Sequence, residues 1–247
     1  MTVTVGVLYP GYSAQDDYPR MQHLLGEDIR LPLVHTEMRV DAHRVDALLD
    51  IGSDAVLAEG ARALGRQQPD AVVWACTSGS FVFGWDGATA QVDALREVAG
   101  VPATSTSFAF VAAARELHLR RIAVAATYPG DIAGLFAGFL GRAGIEVLAV
   151  ASRGIATAAE VGTLGGNDVL AFAAAHDHPD AQALLVPDTA LHTVDLLPKL
   201  EAQLGKPVLT ANQVSVWHGL HLAGAGTTRD GLGTLFQVRA VEPATGR

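Results

Sequence analysis

Short apolar runs rich in β-branched residues alternate along this chain with Ala/Leu-rich stretches of helical period, and that alternation constrains the fold more than any other feature. VTVGVLY leads to a helix around Asp54 to Gly65. AVVWAC leads to one near Thr89 to Ala99, then a helix through Phe108 to Leu117. RIAVAATY precedes a helix from Asp131 to Ala143 ended by Gly144, followed by IEVLAVA and a helix near Val169 to Ala175. AQALLVP precedes a helix from Leu191 to Leu204 closed by Gly205, and PVLTA one from Val214 to Leu222. Strands that alternate with helices have crossover connections, which predicts parallel βαβ units and an α/β fold.

The two halves echo each other. Tyr9-Pro10-Gly11 closes the first strand, and Tyr128-Pro129-Gly130 closes the strand that opens the second half. AVVWACTSG ends a strand at Cys76, and ALLVPDTAL ends one at Asp188 at a similar offset. A Tyr-Pro-Gly turn alone is ordinary. Two matched strand ends favour a duplicated unit. We therefore expect two similar parallel-sheet α/β lobes related by a pseudo-twofold, residues 1–117 and 118–247, with a C-terminal helix that can cross over and an active site in the cleft between them. Corresponding strand ends then converge, and Cys76 and Asp188 face each other.

VVWACTSGSF holds the only cysteine, directly after an apolar run. An apolar strand that breaks into small polar residues is where open α/β sheets expose chemistry. A helix beginning there would bind a carboxylate through its free N–H groups and push the thiol toward thiolate. The alternative is a buried thiol acting as a small hydrophobe. Asp188 before Thr189 has its own alternative, an ordinary helix N-cap.

Composition excludes other functions. Net charge is −9 with no basic cluster, which argues against a nucleic-acid partner. No apolar run approaches the ~18 residues of a membrane span. One cysteine forms no internal disulfide, and MTVTVGVLYP has neither a basic region nor a cleavage site, so a cytoplasmic setting is expected. His176 and His178 in AHDHPD have a spacing that can hold a metal but more often marks a loop. His218 and His221 share a helix face without a third ligand. TLGGND lacks the GxxxxGK[ST] pattern, and no GxSxG elbow is present. We expect no metal and no cofactor.

ACTSGSF, Tyr128 at a strand end and GKPVLTANQVSVWHGLHLAG resemble the aspartate/glutamate racemase superfamily, in the branch of maleate cis-trans isomerases and arylmalonate decarboxylases. The resemblance covers nearly the whole chain. It implies a cofactor-free enzyme acting next to a carboxylate of a small acid, with Cys76 at the nucleophile position and Tyr128 binding a carboxylate. It also implies that Asp188 stands where the family has its second cysteine, and Ala133 where it has an asparagine. The decarboxylases keep the second cysteine and lack the first, the opposite complement to this chain.

A Cys/Asp pair is still chemically coherent. Desolvation and a bound carboxylate would disfavour the charged form of Asp188, fitting it to move a proton. The expected site is thus Cys76 and Asp188 as catalytic pair, with Thr77, Ser78, Gly79, Ser80, Tyr128, Thr189 and Ala190 holding a small carboxylate or dicarboxylate. The expected reaction is isomerisation with Cys76 as an activated thiolate. Decarboxylation of a substituted malonate, racemisation, or carboxylate binding without catalysis are the alternatives, and a homo-oligomer stays open.

Overall fold

The computed structural model describes residues 2–238; the last residues of the expected second lobe, 239–247, lie outside it. The first half runs β1 (Val3–Pro10), α1 (Asp17–Leu25), β2 (Ile29–Arg30), β3 (Leu33–Thr36), α2 (Val45–Ile51), α3 (Asp54–Leu64), β4 (Ala71–Trp74), α4 (Ser78–Phe81), α5 (Gly84–Ala99), β5 (Ala103–Ser105) and α6 (Thr106–Glu116). The second runs β6 (Arg121–Ala126), α7 (Gly130–Arg142), β7 (Glu146–Ser152), α8 (Ala158–Val161), α9 (Gly166–Ala175), β8 (Ala183–Val186), α10 (Leu197–Leu204), β9 (Val208–Thr210) and α11 (Ala211–Leu222).

Two wholly parallel sheets result. The first is ordered β2-β1-β4-β5, with β3 also paired to β1, and the second β7-β6-β8-β9. Each half thus places its first strand inside the sheet, β1 between β2/β3 and β4 and β6 between β7 and β8, so the strand order reverses between β1 and β4 and again between β6 and β8. Crevices open at such reversals, beyond the C-terminal strand ends. Cys76 follows β4 and Asp188 follows β8, so both occupy the reversal point of their own sheet.

Side chains alternate across a strand, and the core divides accordingly. From β6 and β8, Ile122, Val124, Ala126, Ala183 and Leu185 join the large core that includes the first sheet, while Ala123, Ala125, Leu184 and Val186 pack beneath α9 and α10. Helix α11 leaves β9 and packs on β4 and α6 of the first half.

Several helix boundaries differ from expectation. Helix α5 begins at Gly84 rather than near Thr89, because Trp85 anchors its first turn against Phe108 and Phe139, at ring-centroid distances of 5.2 and 5.0 Å. Helix α6 begins at Thr106, capped by Ser105 Oγ, and α11 at Ala211, where Gln213 Oε1 accepts from the Thr210 N–H. Helix α10 begins at Leu197, not Leu191: Asp17 captures the Thr193 N–H at 3.1 Å, which holds residues 189–193 as a loop ahead of a short 3-10 turn. No helix is long and apolar enough to cross a membrane among the described residues.

Candidate active site

Cys76, Ser78, Asp188, Thr189 and Ala190 line one cavity of about 30 Å³, the space of roughly one water. Tyr9 and Pro10 from the end of β1 join them, as do Met38, Val40, Asp41, Ala42 and His43 from the segment after β3. Leu48 and Ile51 of α2 and Ala158 of α8 complete the wall. Four of the expected residues do not line it. Gly79 donates its backbone N–H to Cys76 Sγ at 3.3 Å, and Ser80 bonds Ser105 Oγ at 2.8 Å, away from the cavity. Thr77 is fully buried. Tyr128 donates its phenol to the Pro187 carbonyl at 2.6 Å, which fixes the turn entering Asp188.

The surroundings of Cys76 pull against the expected activated thiolate. Burial pushes the Cys76 thiol up to about 12; the Gly79 N–H and Ser78 hydroxyl oppose this, and the nearby Asp188 charge adds to it. Helix α4 is a single buried turn, and among the described residues no lysine or arginine lines the cavity, so no positive charge offsets the loss of water. Burial thus favours the neutral thiol over the thiolate.

Asp188 is also held differently from a helix cap, since no helix starts there. Its Oδ1 accepts from the Ala190 N–H at 2.9 Å, closing a turn on its own loop, and its Oδ2 accepts from the Thr127 hydroxyl at the end of β6. The turn after Asp188 therefore feeds a loop, where a helical turn had been expected. Two neutral donors fix the carboxylate from both sides, one from each reversal-point strand of the second sheet.

Sequence reasoning did not find the supports around this pair. Tyr9 donates to the Thr189 carbonyl at 2.9 Å and accepts from the Ala14 N–H at 3.0 Å. Burial holds its phenol far above the usual range. Asn212, at the start of α11, donates to the Thr189 carbonyl at 3.2 Å and to Asp17 Oδ2 at 3.0 Å, and accepts from the Tyr18 hydroxyl at 3.0 Å. Burial raises the Asp17 carboxyl, and the donors from Asn212 and Thr193 pull the other way. The Asp188 loop of the second half is thus held from the first.

A latch closes the cavity. Asp41 Oδ1 accepts from the Ala158 N–H at 2.7 Å and Oδ2 from the Ala159 N–H at 2.9 Å, at the first turn of α8. His43 donates its backbone N–H to the Ala156 carbonyl at 2.7 Å, and its Nδ1 lies 2.9 Å from the Ile155 carbonyl. Two polar residues of one loop make these contacts with backbone groups, so no apolar periodicity announces them.

The histidines weighed from sequence lie elsewhere. His176 Nδ1 bonds the Phe172 carbonyl, His178 Nδ1 accepts from the Asp180 N–H, and Asp177 pairs with Lys206 at 2.9 Å. His218 bonds Thr104 Oγ1 at 3.0 Å, and burial pushes its imidazole down to about 4. Among the described residues no three His, Cys, Asp or Glu side chains are grouped to hold a metal.

Comparison with known proteins agrees with this architecture. The arylmalonate decarboxylase family model matches residues 40–236. An arylmalonate decarboxylase from Bordetella bronchiseptica is 34% identical over 194 residues, covering 75% of this chain and 80% of that protein. The maleate isomerase of Pseudomonas putida S16, solved as a cysteine-to-alanine variant with maleate, superposes with a TM-score of 0.87 at 21% identity, covering 96% of this chain and 98% of that one. A liganded arylmalonate decarboxylase variant with one glycine changed to cysteine and one cysteine to serine superposes with a TM-score of 0.82 at 27% identity, covering 95% and 99%. With its two reversal-point turns facing one cavity and this match over most of its length, the chain belongs to the arylmalonate decarboxylase family.

Proposed function

We propose that this enzyme is a cofactor-independent decarboxylase of a small substituted malonate, with Cys76 as the acid that protonates the carbon losing carbon dioxide. The observation that carries the reading is the buried Cys76 thiol, whose charged form burial disfavours, in a cavity lined by both polar and apolar side chains. Ser78, with the backbone N–H of Thr189, offers donors for the carboxylate that stays. Met38, Val40, Leu48 and Ile51 present a wall that solvates the departing carboxylate poorly and favours its loss as neutral carbon dioxide.

The carbon–carbon bond to that carboxylate breaks, and its electron pair moves into the retained carboxylate to give an enediolate. Cys76 transfers its S–H proton to the α-carbon, leaving a thiolate. The next proton enters from solvent, and Asp188, fixed by Thr127 and Ala190 on the facing wall, passes it on. The cavity of about 30 Å³ admits a substrate only when the Asp41–His43 segment lifts from residues 155–159. Closure then excludes water from the enediolate.

Isomerisation of a cis-alkene dicarboxylate is the second reading, favoured by a cysteine on the first turn. It requires the thiol to ionise first, with Asp188 as the nearby acceptor. Incubation with malonates and maleate in heavy water separates the two. Decarboxylation gives carbon dioxide and one deuterium at the α-carbon of the product. An isomerised alkene without carbon dioxide release would overturn our choice.

A further inference from the structure

We infer that His43 selects the substrate's side group, favouring one that carries a hydrogen-bond donor such as a hydroxyl; the assignment rests on the substituted-malonate reading above. His43 is 8% exposed and lines the cavity, with its ring edge-on to Tyr128 at 5.0 Å. Nδ1 lies 2.9 Å from the Ile155 carbonyl, and a carbonyl oxygen only accepts. Nδ1 therefore carries the proton, and in the neutral ring Nε2 is left as a bare acceptor. Among the described residues nothing hydrogen-bonds Nε2, and it is not among the side-chain atoms sealed from solvent, so an accessible acceptor stands open on a side chain that lines the cavity.

The surroundings leave this acceptor for the ligand. Asp41 is committed to Ala158 and Ala159, Asp188 to Thr127 and Ala190, and the Tyr9 phenol to Thr189. The bond to Ile155 also fixes the ring whenever the latch is shut, so Nε2 sits in one place in the closed enzyme. A substrate hydroxyl that reaches it pairs the acceptor it covers, whereas a hydrocarbon of the same size leaves that acceptor unpaired after excluding its water. Sites built this way reject the analogue lacking the donor far more strongly than an apolar pocket rejects a missing methylene.

The test measures binding at pH 8, where an imidazole is ordinarily neutral, in a Cys76→Ser background so that the result does not depend on the reaction. Titration calorimetry compares hydroxypropyl malonate with its isostere butyl malonate and with the acceptor-only oxobutyl malonate. The expected result is a Kd for the hydroxyl ligand lower than that for butyl malonate by roughly tenfold or more, with no such gain for the ketone. In His43→Asn the amide N–H takes the place of Nδ1–H and nothing replaces Nε2, so the hydroxyl-to-butyl ratio falls to about one. His43→Gln, whose amide reaches the position of Nε2, restores part of the preference.

Equal binding of the hydroxyl and butyl ligands by the His43 protein overturns the assignment, as does a preference that survives His43→Asn. Failure of all three to bind overturns it together with the malonate reading. Carbon dioxide release by the unmutated enzyme reports on that reading separately. A hydroxyl preference without release would leave His43 as selector and remove the decarboxylase.

Discussion

Cys76 and Asp188 were legible as a pair because each ends an apolar run in a small polar turn, a pattern local enough to see in ten residues. The upward shift of the Cys76 thiol was not legible, since it depends on the burial imposed by distant segments. A thiol pushed up to about 12 labels slowly with iodoacetamide from pH 7 to 9, and the rate climbs only above that range, later than for an ordinary cysteine. A labelling midpoint near pH 7 would refute the acid role. The sign for stability follows from the same shift. Above the ordinary cysteine value the unfolded chain loses its proton while the folded one keeps it, so this contribution to stability is present below that value and fades as pH rises toward 12. Cys76→Ser should flatten that alkaline loss and abolish most turnover. At Asp188, the Asn variant keeps an acceptor for the Ala190 N–H but cannot pass a proton, and turnover should fall by about 10²–10⁴ with melting temperature nearly unchanged. Asp188→Ala instead leaves the Ala190 N–H and Thr127 hydroxyl without a partner, at a cost of about 1–3 kcal/mol in thermal denaturation.

At the scale of elements, β1, β4, β6, β7, β8 and β9 followed from periodicity, whereas the sheet order, the short strands β2, β3 and β5, the latch and the loop at 189–193 did not. Asp41 and His43 sit in a polar connection whose partners lie more than a hundred residues away, and helix α10 starts late because Asp17 of α1 takes the Thr193 N–H. Nothing local encodes either contact. The latch has a direct kinetic consequence. Asp41 caps the first turn of α8 from the other half of the molecule, and caps of this type are worth about 0.5–2 kcal/mol. Asp41→Ala should shift the closed-to-open ratio by roughly two- to thirtyfold, raising KM and speeding substrate association. Stopped-flow binding checks it. A variant with unchanged KM and association rate would show that closure does not depend on this contact.

At the scale of the whole molecule, the same strand order in both sheets places two reversal points against one cavity, but α11 is what couples the halves. It starts from β9 with Asn212 holding the Thr189 carbonyl, and ends packed on the first sheet. Gly219 makes that contact possible: a Cβ there would lie 2.4 Å from Val5 Cγ1 and 2.9 Å from Val73 Cγ2, both on buried strands with no room to give. The sequence showed a helix with a glycine in it, and only the crossing explains why the residue is small. Gly219→Ala should therefore lift α11 from the first sheet despite the better helix propensity of alanine. Overpacking of this kind costs about 1–3 kcal/mol, more than the ~1 kcal/mol that alanine returns in a helix interior. Because the displaced helix carries Asn212, the loop bearing Asp188 should shift with it, and turnover should drop in protein that remains folded. The control is Gly134→Ala in α7, where an added Cβ meets nothing within 4 Å and propensity alone acts. That variant should be as stable as the parent or more so, with activity retained. If Gly219→Ala matches Gly134→Ala in melting temperature and turnover, α11 is not the rigid link between the two halves.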